Sequence, residues 1–176
     1  MRDLDLVISA INGNEKAFEA LIKSENEKLY RTAFLYVRNK EDALDVLQET
    51  IYKAFVSIKK LKSPEYFNTW LTKILIRTAY DLIRKKKKEV LKNNINYVVE
   101  STYDMDWKMD LSRAISMLKQ DYQTVIILFY YHDLPIQCIA ETMERPENTV
   151  KTYLSRAKVD LKKIIEGGNK YEQKAT

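Results

Sequence analysis

Glycine is nearly absent from this chain. Only Gly13, Gly167 and Gly168 occur among 176 residues, and two of them stand near the C-terminus. A phosphate-cradling loop needs several glycines close together ahead of a helix, so P-loop and dinucleotide-binding readings are excluded. Cysteine and histidine are scarcer still, at one each, Cys138 and His132. A lone cysteine builds no disulfide framework and suits a reducing, cytoplasmic setting. With no second histidine and no cysteine pair at ligand spacing, neither a zinc site nor any other cofactor is expected. The opening residues, MRDLDLVISAINGNEKAF, are too polar and acidic for a signal peptide, and no apolar run approaches a membrane span. Nothing resembles a nucleophile with its base and orienting group, so an enzyme is the least supported class.

What is present is a chain with 45% hydrophobic residues and a formal net charge of +5, enough for real cores and suited to an anionic partner. The most informative stretch is 134–165. Ile136, Ile139 and Met143 recur at helical spacing, as do Val150, Leu154, Ala157, Leu161 and Ile164. Glu144-Arg145-Pro146 separates the two runs, and a proline belongs in the first turn of a new helix. Small Ala140 would let two helices cross closely. This is the pattern of a helix-turn-helix. The outer side of its second helix carries Asn148, Lys151, Thr152 and Ser155, with Arg156 at one edge and Lys162 beyond. Such groups suit phosphates and base edges in a major groove. The plainer alternative is an amphipathic hairpin with a solvated basic face.

Before that stretch the chain reads as helices from about 3–12, 15–38, 40–61 and 64–88, with a break at Gly13-Asn14 and Asn39 as a cap. The third helix has an expected core stripe of Leu44, Leu47, Ile51, Ala54 or Phe55, and Ile58. Its opposite face gathers Asp42, Asp45 and Glu49, with Gln48 and Tyr52 at the margin. An acidic face on a basic protein cannot help to hold DNA. It is either a solvated surface or a dock for a protein partner. The fourth helix begins at Ser63 as cap and Pro64. Its inward stripe is Phe67, Leu71, Ile74, Thr78 and Leu82, and a neighbouring face holds Tyr66, Trp70, Lys73, Arg77, Tyr80 and Arg84. Aromatic and basic residues so interleaved suit an opened nucleic-acid strand, although Trp70 and Tyr66 could equally be core. The strip ends in the basic run 84–88.

Helical periodicity fades after Glu89 and returns at 107, which marks a linker. Helices are then expected over Met109–Leu118 and Asp121–His132, and Gly167-Gly168 should end the last one. The expected architecture is all-α, with two small helical domains, 1–90 and 107–168, a linker at 91–106 and a tail at 169–176.

These residues resemble the extracytoplasmic-function family of bacterial sigma factors. Residues 42–49, DALDVLQE, are similar to the family's region 2.2. Phe67, Trp70-Leu71, Ile74, Asp81 and Arg84 follow regions 2.3 and 2.4. Ile139-Ala140-Glu141, Thr149-Val150-Lys151 and Arg156-Ala157 resemble region 4.2. The stretch around KIL-RTA-DLIRK is similar to sigma-V-type members of Gram-positive bacteria. The resemblance implies an alternative sigma factor of a stress regulon, which directs promoter recognition and transcription initiation. It implies docking on core RNA polymerase, at the β′ clamp through Asp45, Gln48, Glu49 and Tyr52, and at the β flap. It implies −10 contacts by the strip and −35 contacts by Asn148, Lys151, Thr152, Ser155 and Arg156. It also implies a membrane-anchored anti-sigma factor, with the protein a monomer on its own. Three positions depart from the family pattern: Arg77 where many members have Asn, Tyr153 where an Arg is common, and Glu144 in place of the turn glycine. The alternatives are a stand-alone helix-turn-helix regulator, binding duplex DNA as a dimer, and a helical adaptor or RNA-binding protein.

Overall fold

Each helix of the first half is begun or ended by a residue suited to that place. The computed structural model describes residues 2–93 and 108–172, and among these every regular element is helical. α1 (Arg2–Ile11) stops just before Gly13, whose φ of 96° is open to glycine without steric cost. Asn14 caps α2 (Glu15–Val37), its side-chain oxygen accepting from the Ala17 N–H at 3.1 Å. Asn39 caps α3 (Lys40–Ser57) in the same way, accepting from the Asp42 N–H at 3.0 Å. Two 3₁₀ turns, Ile58–Lys60 and Pro64–Tyr66, lead into α4 (Phe67–Asn93). Pro64 takes the first position of its turn, whereas Ser63 makes no capping bond through its side chain.

α3 lies against both α2 and α4, and this shifts its buried stripe from the expected one. Ala43, Val46, Leu47, Thr50, Ala54 and Ile58 face inward, while Leu44 and Phe55 remain 47% and 46% exposed. A helix wedged between two others buries its small residues where they approach closely. Thr50 can join them because its hydroxyl donates to the Val46 carbonyl at 2.6 Å. Asp42 is the larger correction. It was expected on the open acidic face, yet it is 8% exposed and both its oxygens lie 2.6 Å from Lys86 Nζ of α4. α4 buries Phe67, Leu71 and Thr78 as expected, and also Leu75, Ile76 and Ala79; Ile74 and Leu82 are half-buried. A fully buried leucine such as Leu75 contributes about 1.5–3 kcal/mol by leaving water.

The chain divides into two compact units, residues 1–101 and 102–176. The expected linker overlaps α4 as far as Asn93 and from 94 on lies outside the described residues. The second unit contains α5 (Lys108–Ser116), α6 (Gln120–Ile126), α7 (Ile136–Met143) and α8 (Glu147–Glu172). Where a straight helix to His132 was expected, α6 passes into a π turn at Ile127–Tyr131, closed by the His132 N–H on the Ile127 carbonyl at 3.1 Å. The core of this unit includes Ile115, Leu118, Val125, Ile127, Leu128, Ile139, Val150, Leu154 and Ala157. The two glycines do not end α8, which continues to Glu172, with Gly167 right-handed and in open space. Glycine permits a left-handed exit but does not force one. The expected tail is therefore helical as far as it is described. No described helix is long and apolar enough to cross a membrane.

Candidate functional site

Asp45, Gln48, Glu49 and Tyr52 all stand exposed on one face of α3, since positions three and four apart share a helix face. α4 runs alongside, and between the two helices lies a groove of about 640 Å³. α3 lines it with Asp45, Val46, Gln48, Glu49, Tyr52 and Lys53; α4 lines it with Thr78, Asp81, Leu82 and Lys85. Lys53 sits 3.4 Å from Glu49 and donates to the Thr78 hydroxyl oxygen at 3.3 Å. Three carboxylates face two ammonium groups here, so the groove carries a net negative charge on a basic chain. It can accept cationic side chains of a partner beside the exposed Tyr52 ring. Sequence reasoning missed the contribution of α4. Asp81 and Lys85 stand one helical step away from Tyr80 and Arg84, and their i,i+4 spacing was the available signal.

The aromatic–basic strip is less uniform than its spacing suggests. Tyr66 belongs to the 3₁₀ turn ahead of α4 and is 50% exposed. Trp70 is half-buried and tilted on Phe67 with centroids 5.9 Å apart. Tyr80 is half-buried and meets Tyr36 of α2 edge to face at 5.4 Å. Lys73 is half-buried, and Arg77 and Arg84 are exposed, the latter 3.9 Å from Asp81. The rings thus anchor the strip to the core on one side, and Arg77, Arg84 and Tyr66 form its open edge.

In the second unit, Asn148, Lys151, Thr152, Ser155 and Arg156 are all exposed along one face of α8. The face begins at a tight turn. Glu144 takes the left-handed conformation, φ 56° and ψ 46°, and the N–H groups of Glu144 and Arg145 both close on the Ala140 carbonyl. Glutamate here keeps the geometry a glycine would take, at a steric cost of about 1–2 kcal/mol. Pro146 precedes α8, and its carbonyl accepts from the Val150 N–H at 3.1 Å. Tyr153 turns away from the outer face to pack on Tyr122 at 5.6 Å, and Lys158 lies over the Phe129 and Tyr130 rings at 5.8 and 5.5 Å. Val159, 51% exposed, continues the outer face by one turn. Its spacing of four from Ser155 and seven from Thr152 was legible, but an apolar residue was not sought there. Burial raises the Cys138 thiol above its ordinary pKa, and the Glu141 carboxylate adds to this, so thiolate chemistry is disfavoured near neutral pH.

The family model of Sigma-70 region 2 matches residues 21–89, and that of Sigma-70, region 4 matches residues 108–161. The RNA polymerase sigma factor SigV of Bacillus subtilis (strain 168) is 41% identical over 138 residues, which cover 77% of this chain and 83% of that protein. The ECF RNA polymerase sigma factor SigW of the same organism is 29% identical over 170 residues, 87% of this chain and 91% of its own. The chain belongs to the extracytoplasmic-function sigma factors. In this sigma factor the region 2 match takes in α3, the groove and the strip, and the region 4 match takes in the turn at Glu144 and the outer face of α8. The fold also matches the sigma factor RpoE of Bartonella quintana, solved with the anti-sigma factor NepR. The TM-score is 0.74 at 22% identity, over 86% of this chain and 98% of that one.

Proposed function

We propose that this sigma factor holds core RNA polymerase in the α3–α4 groove and presents two separate basic faces to promoter DNA. Asp45, Gln48, Glu49 and Tyr52 meet the β′ clamp. Tyr66, Trp70, Lys73, Arg77, Tyr80 and Arg84 follow the opened −10 strand. Asn148, Lys151, Thr152, Ser155 and Arg156 read the −35 element while the second unit rests on the β flap. The observation that carries this reading is the separation of charge across α4. An acidic groove lies on one face of the helix and a cationic, partly aromatic line on the adjoining face, so a basic partner and a polyanion can be held side by side.

The protein acts by binding rather than by catalysis, as a monomer in the cytoplasm. A membrane-anchored anti-sigma factor holds it inactive until stress releases it. The anti-sigma factor NepR bound to the Bartonella sigma factor supports an anti-sigma partner here, and the membrane anchor is part of the proposal. Run-off transcription on genomic fragments with core enzyme tests the whole. Discrete starts that depend on this protein are expected. If sizing shows no complex with core polymerase while the protein still binds duplex DNA as a dimer, the reading falls to a stand-alone regulator.

A further inference from the structure

The five cations at 84–88 form one patch in the sequence, but a helix turns by about 100° per residue and divides them. Arg84 continues the line of Lys73, Arg77 and Tyr80. Lys85 lines the acidic groove on the neighbouring side. Lys86 turns further still and reaches the start of α3, where its Nζ lies 2.6 Å from both oxygens of Asp42. Asp42 is almost fully covered. A covered carboxylate left without its cation is strongly unfavourable, so Lys86 is not available to a phosphate. The pair spans 44 residues of sequence. It ties the beginning of the docking helix to the far part of the strip helix, three residues before Asp45 and two after Arg84.

We infer that Asp42 and Lys86 are a positioning pair, which fixes the distal end of α4 against α3, and that Lys86 makes no nucleic-acid contact. The inference rests on the reading that α3 docks on polymerase and α4 follows the opened strand. Under that reading the pair sets the distance and angle between dock and strip. Promoter opening then depends on a residue that touches neither partner.

The test compares the wild-type protein, Lys86→Met, the exchange Asp42→Lys with Lys86→Asp, and Lys87→Ala, each full length and assembled with core enzyme on a promoter fragment. Lys87 is exposed three residues beyond Arg84 and so continues the strip face; Lys87→Ala is the phosphate control and should lower the slope of log affinity against log salt by about 0.7–0.9. Lys86→Met and the exchange should leave that slope at the wild-type value. Lys86→Met should keep core affinity within about twofold, slow promoter opening about tenfold and speed amide exchange at 87–91 about tenfold; the exchange should recover both losses. A slope that falls with Lys86→Met as it does with Lys87→Ala makes Lys86 a phosphate contact and overturns the inference. So does unchanged opening and amide exchange in Lys86→Met. Should Lys86→Met prove unfolded by circular dichroism, the exchange variant decides: wild-type slope and opening uphold the pair, and loss of either in a folded protein refutes it. Failure of the wild-type protein to bind core would sink the docking reading instead. The amide-exchange arm needs no polymerase and still judges the pair.

Discussion

α4 and α8 are nearly equal in length, 27 and 26 residues, and each carries a cationic outer face, yet they are held in different ways. α4 is gripped along most of its course. Phe67, Leu71, Leu75 and Ala79 are buried in turn, Tyr80 leans on Tyr36, and Lys86 reaches Asp42. α8 is gripped through Val150, Leu154 and Ala157, beyond which Leu161 and Ile164 are only half-buried and Ile165 is exposed. The first helix can therefore present two faces of opposite charge, because packing fixes its rotation at many points. The second carries one, and the turn before it sets its aim.

The comparison can be broken most directly in the core. Leu75→Ala should cost the first unit about 2–5 kcal/mol, measured by urea unfolding, since the site is fully enclosed between helices. A loss below about 1 kcal/mol would mean that α4 is not gripped as described. Next in size is the groove. Asp45→Lys with Glu49→Lys should leave stability within about 0.5 kcal/mol, because both side chains are exposed. Affinity for core polymerase should fall at least tenfold, or about 1.4 kcal/mol, in a titration with labelled core. Undiminished affinity would remove the dock from α3.

The face of α8 should respond position by position. Lys151→Ala and Arg156→Ala should each reduce discrimination within the −35 element by about 1–3 kcal/mol, read from transcription on a set of −35 variants. Equal losses on every variant would make both residues phosphate contacts. The smallest effect tests the turn. Glu144→Gly should raise the thermal midpoint of the second unit, with a gain of about 0.5–1 kcal/mol after glycine's own entropy cost. A lower midpoint would show that the glutamate side chain contributes more than its backbone costs.

Regular helices and the cap at Asn39 were legible because periodicity and capping chemistry are local, whereas Asn14 was read only as part of a break. The rotation of α3 was not. Its stripe was read from large residues, and Ala43 and Thr50 are buried for being small or internally bonded. Asp42 looked like one more surface carboxylate, because its partner stands 44 residues away. In the second unit the exposed polar face of α8 was readable and the irregular backbone was not. The π turn at Ile127–Tyr131 has no glycine or proline to mark it, and the left-handed Asp133 carries a side chain; the turn at Glu144 was placed, but its left-handed backbone was not foreseen. The glycines that were visible, Gly167 and Gly168, marked no end at all.

The turn at Glu144 has a mechanical consequence. The turn sets the starting direction of α8, Val150, Leu154 and Ala157 hold its first turns, and any tilt is largest along the arm beyond them. Lys162 lies fifteen residues beyond Glu147, roughly 22 Å at a rise of about 1.5 Å per residue. A tilt of about 5° at the pivot would carry that point by about 2 Å, more than half of the 3.4 Å step between successive base pairs. A left-handed glutamate has far fewer neighbouring conformations than a left-handed glycine, so it makes a stiffer bearing. Replacing it trades rigidity for ease of bending, and under the proposed −35 reading this would blur the register of the outer turns of α8 against the bases.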